Sequence, residues 1–398
     1  MKKIYIVLLF LAWCSILLAN EPLSTKNKVD SLIQKVKDKY MPDTREGIFD
    51  FDTTLSDNTV YLSGKTTNNS VIDELILYTE KEKNIVVNSL KLLPDKALGD
   101  TLYGVINVSV ADIRTQNRFT SGMATQALLG TPVKLYDHDN WYQIQLPDSY
   151  FGWVHEKQII PMNRVDFNKW ISSLKIIYTQ YYGFSYQEAN NEGATVSDLV
   201  AGDILNYEGT EGDYFKVSYP DKRMAYVLRT ECQDYSTWLQ SRPVSAENCV
   251  EMAKTMMGIP YVWGGASTKG FDCSGLVSNV LYLQGLIIRR DASQQANIGD
   301  IVDISTGYDN LRIGDLLFFG TKSTKDQKEN VRHVAFYIGE GKFIHASGYV
   351  KISSLNANDP DYDELNAKEL IKATRIINDQ KLKGVTKLED NPFYDAQK

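Results

Sequence analysis

Twenty residues constrain this chain more than any others: Gly258-Ile259-Pro260-Tyr261-Val262-Trp263-Gly264-Gly265, running on to Gly270-Phe271-Asp272-Cys273-Ser274-Gly275-Leu276-Val277. The stretch reads as a rigid loop that delivers one cysteine to the first turn of a helix. Asp272 is a good N-cap residue, and Leu276, Val277, Val280 and Leu281 follow as a helical apolar stripe. Gly285 then stands where a left-handed residue ends such a helix. Cys273 therefore sits among unpaired N–H groups at the positive end of a helix dipole, and both favour a thiolate. A nucleophile is built this way. A buried free cysteine that merely begins a helix has the same local sequence, and on this stretch alone the two readings weigh equally.

The rest of the chain sets the frame. With 398 residues there is room for two to four domains. A content of 43% apolar and 23% charged residues belongs to a folded chain, and the net charge of −7 gives no footprint for nucleic acid. Twenty-four tyrosines against fourteen phenylalanines favour β-rich packing with half-wet aromatic surfaces. Residues 1–19 read as an export signal: Lys2 and Lys3, an apolar run from Ile4 to Leu18, and a small Ala19. A lipid anchor on Cys14 is the weaker alternative, because Trp13 precedes it. The apolar run is short for a membrane span, so no stable insertion is expected, and the destination is the periplasm or cell envelope. Beyond the signal lie Cys232, Cys249 and Cys273. An odd number leaves at least one thiol free. Cys232 with Cys249 is the pair open to a disulfide, and two buried free thiols fit as well.

In chain order, residues 24–100 read as a small α+β unit: a thin helical stripe at Val29, Leu32, Ile33 and Val36, a strand at Thr59–Lys65, a helix capped by Asn69 or Ser70, and a strand at Ile85–Leu92. Residues 101–162 break into short β runs separated by turns, the mark of a small barrel. The strings Thr125-Gln126-Ala127-Leu128-Leu129-Gly130-Thr131-Pro132-Val133, Trp141-Tyr142-Gln143-Ile144 and Gly152-Trp153-Val154 resemble a bacterial SH3-like domain. Residues 163–240 repeat that layout loosely, through Leu199–Leu205, Tyr214-Phe215-Lys216-Val217 and Met224-Ala225-Tyr226-Val227. A last domain is expected over 241–380, with a helix near Leu365–Ala373, and 381–398 reads as a polar tail.

Only four histidines are present. His138 and His155 lie at turns of the first barrel and read as surface residues. His333 and His345 lie in Arg332-His333-Val334-Ala335-Phe336-Tyr337-Ile338-Gly339 and Lys342-Phe343-Ile344-His345-Ala346-Ser347, which read as a β-hairpin. Register decides whether they meet. A plain two-residue turn at Glu340-Gly341 puts His345 opposite Phe336, on the wrong face. A three-residue loop, or a bulge, puts it opposite Ala335 and on the face of His333. With that register, Cys273, His333 and His345 make a nucleophile, a base and an orienter. A zinc site of the same three residues is the chemical rival. Their spacings of 60 and 12 residues fit no compact metal motif, so no metal or cofactor is expected.

These strings match a family. Pro260-Tyr261-Val262-Trp263-Gly264-Gly265, Asp272-Cys273-Ser274-Gly275, Gly314-Asp315-Leu316-Leu317-Phe318-Phe319, His333-Val334-Ala335 and Phe343-Ile344-His345-Ala346 resemble the NlpC/P60 cell-wall cysteine peptidases. The two SH3-like stretches ahead of them narrow the resemblance to γ-D-glutamyl-L-diamino acid endopeptidases. It implies an α+β multidomain chain: a small α+β unit, two SH3-like barrels and a papain-like α+β catalytic domain with a Cys-His-His site. It also implies hydrolysis of the bond between γ-D-Glu and a diamino acid in murein stem peptides with a free N-terminal L-Ala. By the same resemblance Asp272 binds the substrate amine, Ser274 and Ser293 contact the peptide, Tyr261 supports the oxyanion, and Tyr150 closes the pocket from the first barrel. One departure stands out. Where such proteins carry an acid shortly before the Thr-Gln pair, this chain has Gly122, which weakens selection for a free amine. Two other classes of function remain in view at this point, a non-catalytic wall-peptide binder and an amidase cutting another murein bond.

Overall fold

The computed structural model describes residues 23–81, 84–241, 244–325, 327–377 and 385–395; the expected export signal and Cys14 lie outside them. The chain divides after Gly99 into two compact units. In the first, a helix (α1, 23–40) buries Val29 and Val36. Strand β1 (Phe49–Ser56) pairs antiparallel with β2 (Thr59–Thr66), and α2 (Asn69–Thr79) crosses over to β3 (Ile85–Leu92), which lies parallel to β2. Asn68, one residue earlier than expected, caps α2 by accepting from the Ser70 N–H. Strand β1 escaped the sequence reading because Asp50 and Asp52 interrupt its apolar positions, yet Phe49 and Phe51 still reach the core of Val36, Leu62, Val71 and Leu75.

In the second unit, seven strands come first: β4 (Tyr103–Ile106), β5 (Val110–Arg114), β6 (Met123–Leu128), β7 (Pro132–His138), β8 (Trp141–Gln145), β9 (Phe151–His155) and β10 (Ile159–Met162). Helix α3 (Arg164–Ser172) leads to seven more: β11 (Lys175–Tyr178), β12 (Tyr182–Tyr186), β13 (Thr195–Val200), β14 (Ile204–Glu211), β15 (Tyr214–Ser218), β16 (Met224–Leu228) and β17 (Cys232–Asp234). The first sheet runs β10-β4-β7-β8-β9-β5-β6, and the second runs β17-β11-β14-β15-β16-β12-β13. Each strand of the first is matched by the strand seven later. The loose sequence repeat is thus a full repeat of topology. Asp203, wholly buried, joins the two sheets: its carboxyl accepts from the N–H of Leu129 (3.1 Å) and of Val200 (2.9 Å).

After α4 (Tyr235–Gln240) and α5 (Ala246–Thr255), the short strands β18 (Ala266–Ser267) and β19 (Gly270–Phe271) pin the glycine-rich loop, and α6 (Cys273–Tyr282) follows. Next come β20 (Leu286–Ile287), α7 (Ala292–Gln295), β21 (Asp300–Ile301), β22 (Leu316–Thr321), β23 (Asn330–Gly339), β24 (Lys342–Ser347), β25 (Tyr349–Ser354), α8 (Glu364–Lys368), β26 (Leu370–Arg375) and β27 (Thr386–Lys387). The main sheet runs β21-β26-β22-β23-β24-β25. Leu276, Val277, Val280 and Leu281 of α6 bury against Phe318, Val334, Phe336 and Ile344 on one face of it. Full burial of such side chains contributes roughly 1.5–3 kcal/mol each. Leu317, Phe319, Ala335 and Phe343 pack on the other face.

Two expectations need correction. The helix expected over Leu365–Ala373 stops at Lys368, and the chain becomes β26, paired along β22. Long-range pairing outweighs the helical propensity of Ala367-Lys368-Glu369-Leu370. The expected polar tail is no free tail where it is described: Leu388, Asn391 and Phe393 are buried, and β27 pairs with β20. Of the two alternatives left open for Cys232 and Cys249, the structure has the free thiols, buried in different cores: Cys232 in the second barrel and Cys249 against α6. Among the described residues, no helix is long and apolar enough to cross a membrane.

Candidate active site

The site begins with why Cys273 stands where it does. Asp272 caps α6, its Oδ1 accepting from the Gly275 N–H at 2.7 Å. Gly275 is needed there, because a Cβ would meet the Gly265 carbonyl at 1.9 Å. The loop and the first turn of α6 are thereby pressed together, with Cys273 between them, 8% exposed. Its sulfur accepts from the backbone N–H of Val334, the residue after His333, which sets the thiol beside the histidine strand.

The hairpin register brings the histidines to one face. Phe336 pairs with Ile344, so Ala335 stands across from His345. The turn is Glu340-Gly341, both with positive φ (54° and 74°), and a bulge at Ile338 supplies the odd residue. The register is the one that joins the histidines, reached by a bulge and not by a three-residue loop. His333 Nε2 and His345 Nδ1 share a hydrogen bond of 2.7 Å, and His345 Nε2 lies 3.1 Å from Ser353 Oγ. The result is a buried relay without a carboxylate. Ser353, on β25, is a member that the sequence reading missed.

Burial governs the electrostatics. It pushes the Cys273 thiol up to about 11, and the Asp272 charge adds to this. It holds His333 down at about 4, aided by Arg332, and lowers His345 further. The helix terminus was expected to favour a thiolate. In the resting site desolvation outweighs it, so Cys273 is held as a thiol and His333 as a neutral imidazole.

Arg290 is the largest omission from the sequence reading. It is 2% exposed and grips Asp272 with two bonds, Nη2 to Oδ2 at 2.7 Å and Nη1 to Oδ1 at 3.1 Å. It also donates to Ser274 Oγ (2.9 Å) and, through Nε, to Thr125 Oγ1 (2.7 Å) on the first barrel. Asp272 Oδ2 accepts in addition from the Gly264 N–H at 2.9 Å. The carboxylate expected to read a substrate amine is therefore already neutralised, and the Ser274 hydroxyl is drawn into the same cluster. A signal was available: Arg289-Arg290 directly after the apolar run Leu286-Ile287-Ile288 and before Asp291.

The other expected residues are placed as follows. Tyr261 is half-buried on the loop, and its hydroxyl is pushed up to about 12 by burial and by the nearby Cys273 and Asp272. Tyr150, on the turn between β8 and β9, reaches across to the last domain, its hydroxyl donating to Asp291 Oδ2 at 3.3 Å. Ser293 is half-exposed on α7, two residues before Gln295, whose amide donates to the Ser274 carbonyl at 3.2 Å. The barrels hold this side of the site. Gln126 Oε1 accepts from Ala266 N–H and Ser267 Oγ (3.0 and 2.9 Å), and Lys269 pairs with Asp198 at 2.6 Å.

Comparison with known proteins agrees with this architecture. The profile of the NlpC/P60 family matches residues 258–368, and that of the bacterial dipeptidyl-peptidase SH3 domain matches 113–159. A γ-D-glutamyl-L-lysine dipeptidyl-peptidase of Bacillus cereus is 28% identical over 262 residues, 61% of this chain and 73% of that protein. Dipeptidyl-peptidase 6 of Lysinibacillus sphaericus is 26% identical over 275 residues, 65% of this chain and 93% of the relative. The crystal structure of an NlpC/P60 family protein from Bacillus cereus shares the fold, with a TM-score of 0.57 at 24% identity, covering 69% of this chain and 99% of that one.

Proposed function

Taking as premise that the chain carries an NlpC/P60 cysteine peptidase domain behind a bacterial dipeptidyl-peptidase SH3 domain, and is a peptidoglycan peptide hydrolase of that type, we propose that it cuts the amide between γ-D-Glu and a diamino acid in murein stem peptides that begin with L-Ala. The observation that carries the chemistry is the His333–His345–Ser353 relay beside Cys273. The names of the relatives support the choice of bond.

In this reading Cys273 is the nucleophile. His333 uses Nε2–H to donate to His345 Nδ1, which leaves Nδ1 of His333 to take the thiol proton. His345 keeps its own proton on Nε2 for Ser353, so the relay fixes both tautomers. Sulfur attacks the γ-carbonyl carbon of D-Glu as the proton moves to His333. The resulting oxyanion receives the Cys273 backbone N–H and the Tyr261 hydroxyl. His333 then protonates the leaving amine of the diamino acid, and water cleaves the thioester by the reverse proton path. Because the resting pair is neutral, charge forms only as the bond forms.

Asp272 acts here as cap and as partner of Arg290. Tyr150 walls the cleft, and Ser274 and Ser293 line the peptide side. With Gly122 in place of a carboxylate and Asp272 already paired, discrimination by amine charge is weak. Residues 1–19 would take the protein to the envelope, where its substrate is. Purified protein incubated with L-Ala-γ-D-Glu-diaminopimelate, followed by mass spectrometry, should release L-Ala-D-Glu, and Cys273→Ala should release none. Turnover by the alanine variant would remove Cys273 from the mechanism.

A further inference from the structure

The last described residues touch every part of the second unit. After β27, the Leu388 N–H bonds the Gly285 carbonyl at the exit of α6 (2.9 Å), and the Leu388 side chain sits in a core with Ile177 and Ile204 of the second barrel. Asn391, 3% exposed, accepts the Phe393 N–H on Oδ1 (3.0 Å) and donates through Nδ2 to the Pro147 carbonyl of the first barrel (3.0 Å). Pro147 opens the turn that carries Tyr150. That turn holds Ser149 at φ 73°, a left-handed conformation that a non-glycine residue keeps only where its surroundings impose it. The Arg289 guanidinium grips the same turn at the Asp148 carbonyl (3.0 Å).

We infer that Asn391 is a positioning residue: it holds the Pro147–Tyr150 turn in the form that lets the Tyr150 hydroxyl reach Asp291 at the edge of the cleft. The C-terminal strap thereby sets substrate affinity from outside the family-matched domain. This rests on the reading of Tyr150 as a wall of the substrate cleft. Asn391→Asp keeps the acceptor for Phe393 and loses the donor to Pro147, whereas Asn391→Ala loses both bonds without placing a charge in a buried site.

The assay is steady-state kinetics of the full chain on L-Ala-γ-D-Glu-diaminopimelate, with melting curves alongside. Both variants should raise KM about five-fold, the worth of one hydrogen bond, and hold kcat within about two-fold. Tyr150→Phe should give the same split, and the double variant Tyr150→Phe/Asn391→Ala should be no worse than the worse single one. An unchanged KM in both Asn391 variants overturns the inference. So does a fall in kcat that tracks lost melting temperature, or additive effects in the double variant. Wild-type protein that turns over nothing would instead sink the proposed function.

Discussion

Arg290 offers the most demanding test of how the site is held together. Its guanidinium makes four bonds of 2.7–3.1 Å to Asp272, Ser274 and Thr125, and it is 2% exposed. Arg290→Met would preserve much of the volume and remove every bond, leaving the Asp272 carboxylate buried without a counter-charge. Breaking one partner out of such a pair costs about 3–5 kcal/mol, more than the pair contributes when intact, because the remaining ion keeps its desolvation penalty. For a unit of this size that is on the order of 10 °C in melting temperature. Adding Asp272→Asn to the variant removes the stranded charge and should recover at least half of the loss, with the Gly275 N–H still capped by the amide oxygen. The assay is thermal and urea unfolding of the wild type, both single variants and the double, assembled as a cycle. If Arg290→Met melts within about 2 °C of the wild type, or the double variant is no better than the single one, then Asp272 does not carry a charge that Arg290 neutralises.

Two further outcomes follow from the site. Between pH 6.5 and about 4 the unfolded chain binds a proton that buried His333 refuses, so stability should fall as pH drops through that window. The loss is up to about 1.4 kcal/mol per pH unit, roughly 3 in all from this residue. Urea midpoints at pH 7 and pH 4.5 should therefore converge in His333→Asn relative to the wild type, and an equal drop in both would refute the assignment. Position 122 has room for a side chain, the nearest atom to an added Cβ being 3.9 Å away on Thr115. Gly122→Glu should raise the preference for free over N-acetylated L-Ala-γ-D-Glu-diaminopimelate by about ten-fold in kcat/KM, the order of one charge-assisted hydrogen bond, and an unchanged ratio would show that the amine is read elsewhere.

What could be read from the residues, and what could not, divides along the range of the interaction. Asp272 and Cys273 declare themselves because a cap and a first turn are local, and the pairing of His333 with His345 follows from strand alternation once the turn is considered. Even there the turn itself was open: Gly341 serves a two-residue turn and a three-residue loop equally well, and only the neighbouring strand decides for a bulge at Ile338. Arg290 was passed over because its four bonds reach residues 16–165 positions away. Ser353 hid for a similar reason: what gives it a role is His345, eight positions away on the neighbouring strand. The strap over 385–395 has too few apolar residues to show any period. Leu388 and Phe393 are buried by what they meet, not by what surrounds them in the chain.

The burial of Cys273 also has a consequence for the enzyme at rest. Peroxides and disulfides attack the thiolate, not the thiol. A thiol held near 11 exposes on the order of one ionised molecule in ten thousand at neutral pH. Oxidants should therefore consume the idle enzyme slowly. Inactivation should quicken only while a peptide occupies the cleft and the thiol proton passes to His333. In the proposed mechanism the thiol is thus kept in reserve by the same desolvation that the catalytic step must overcome.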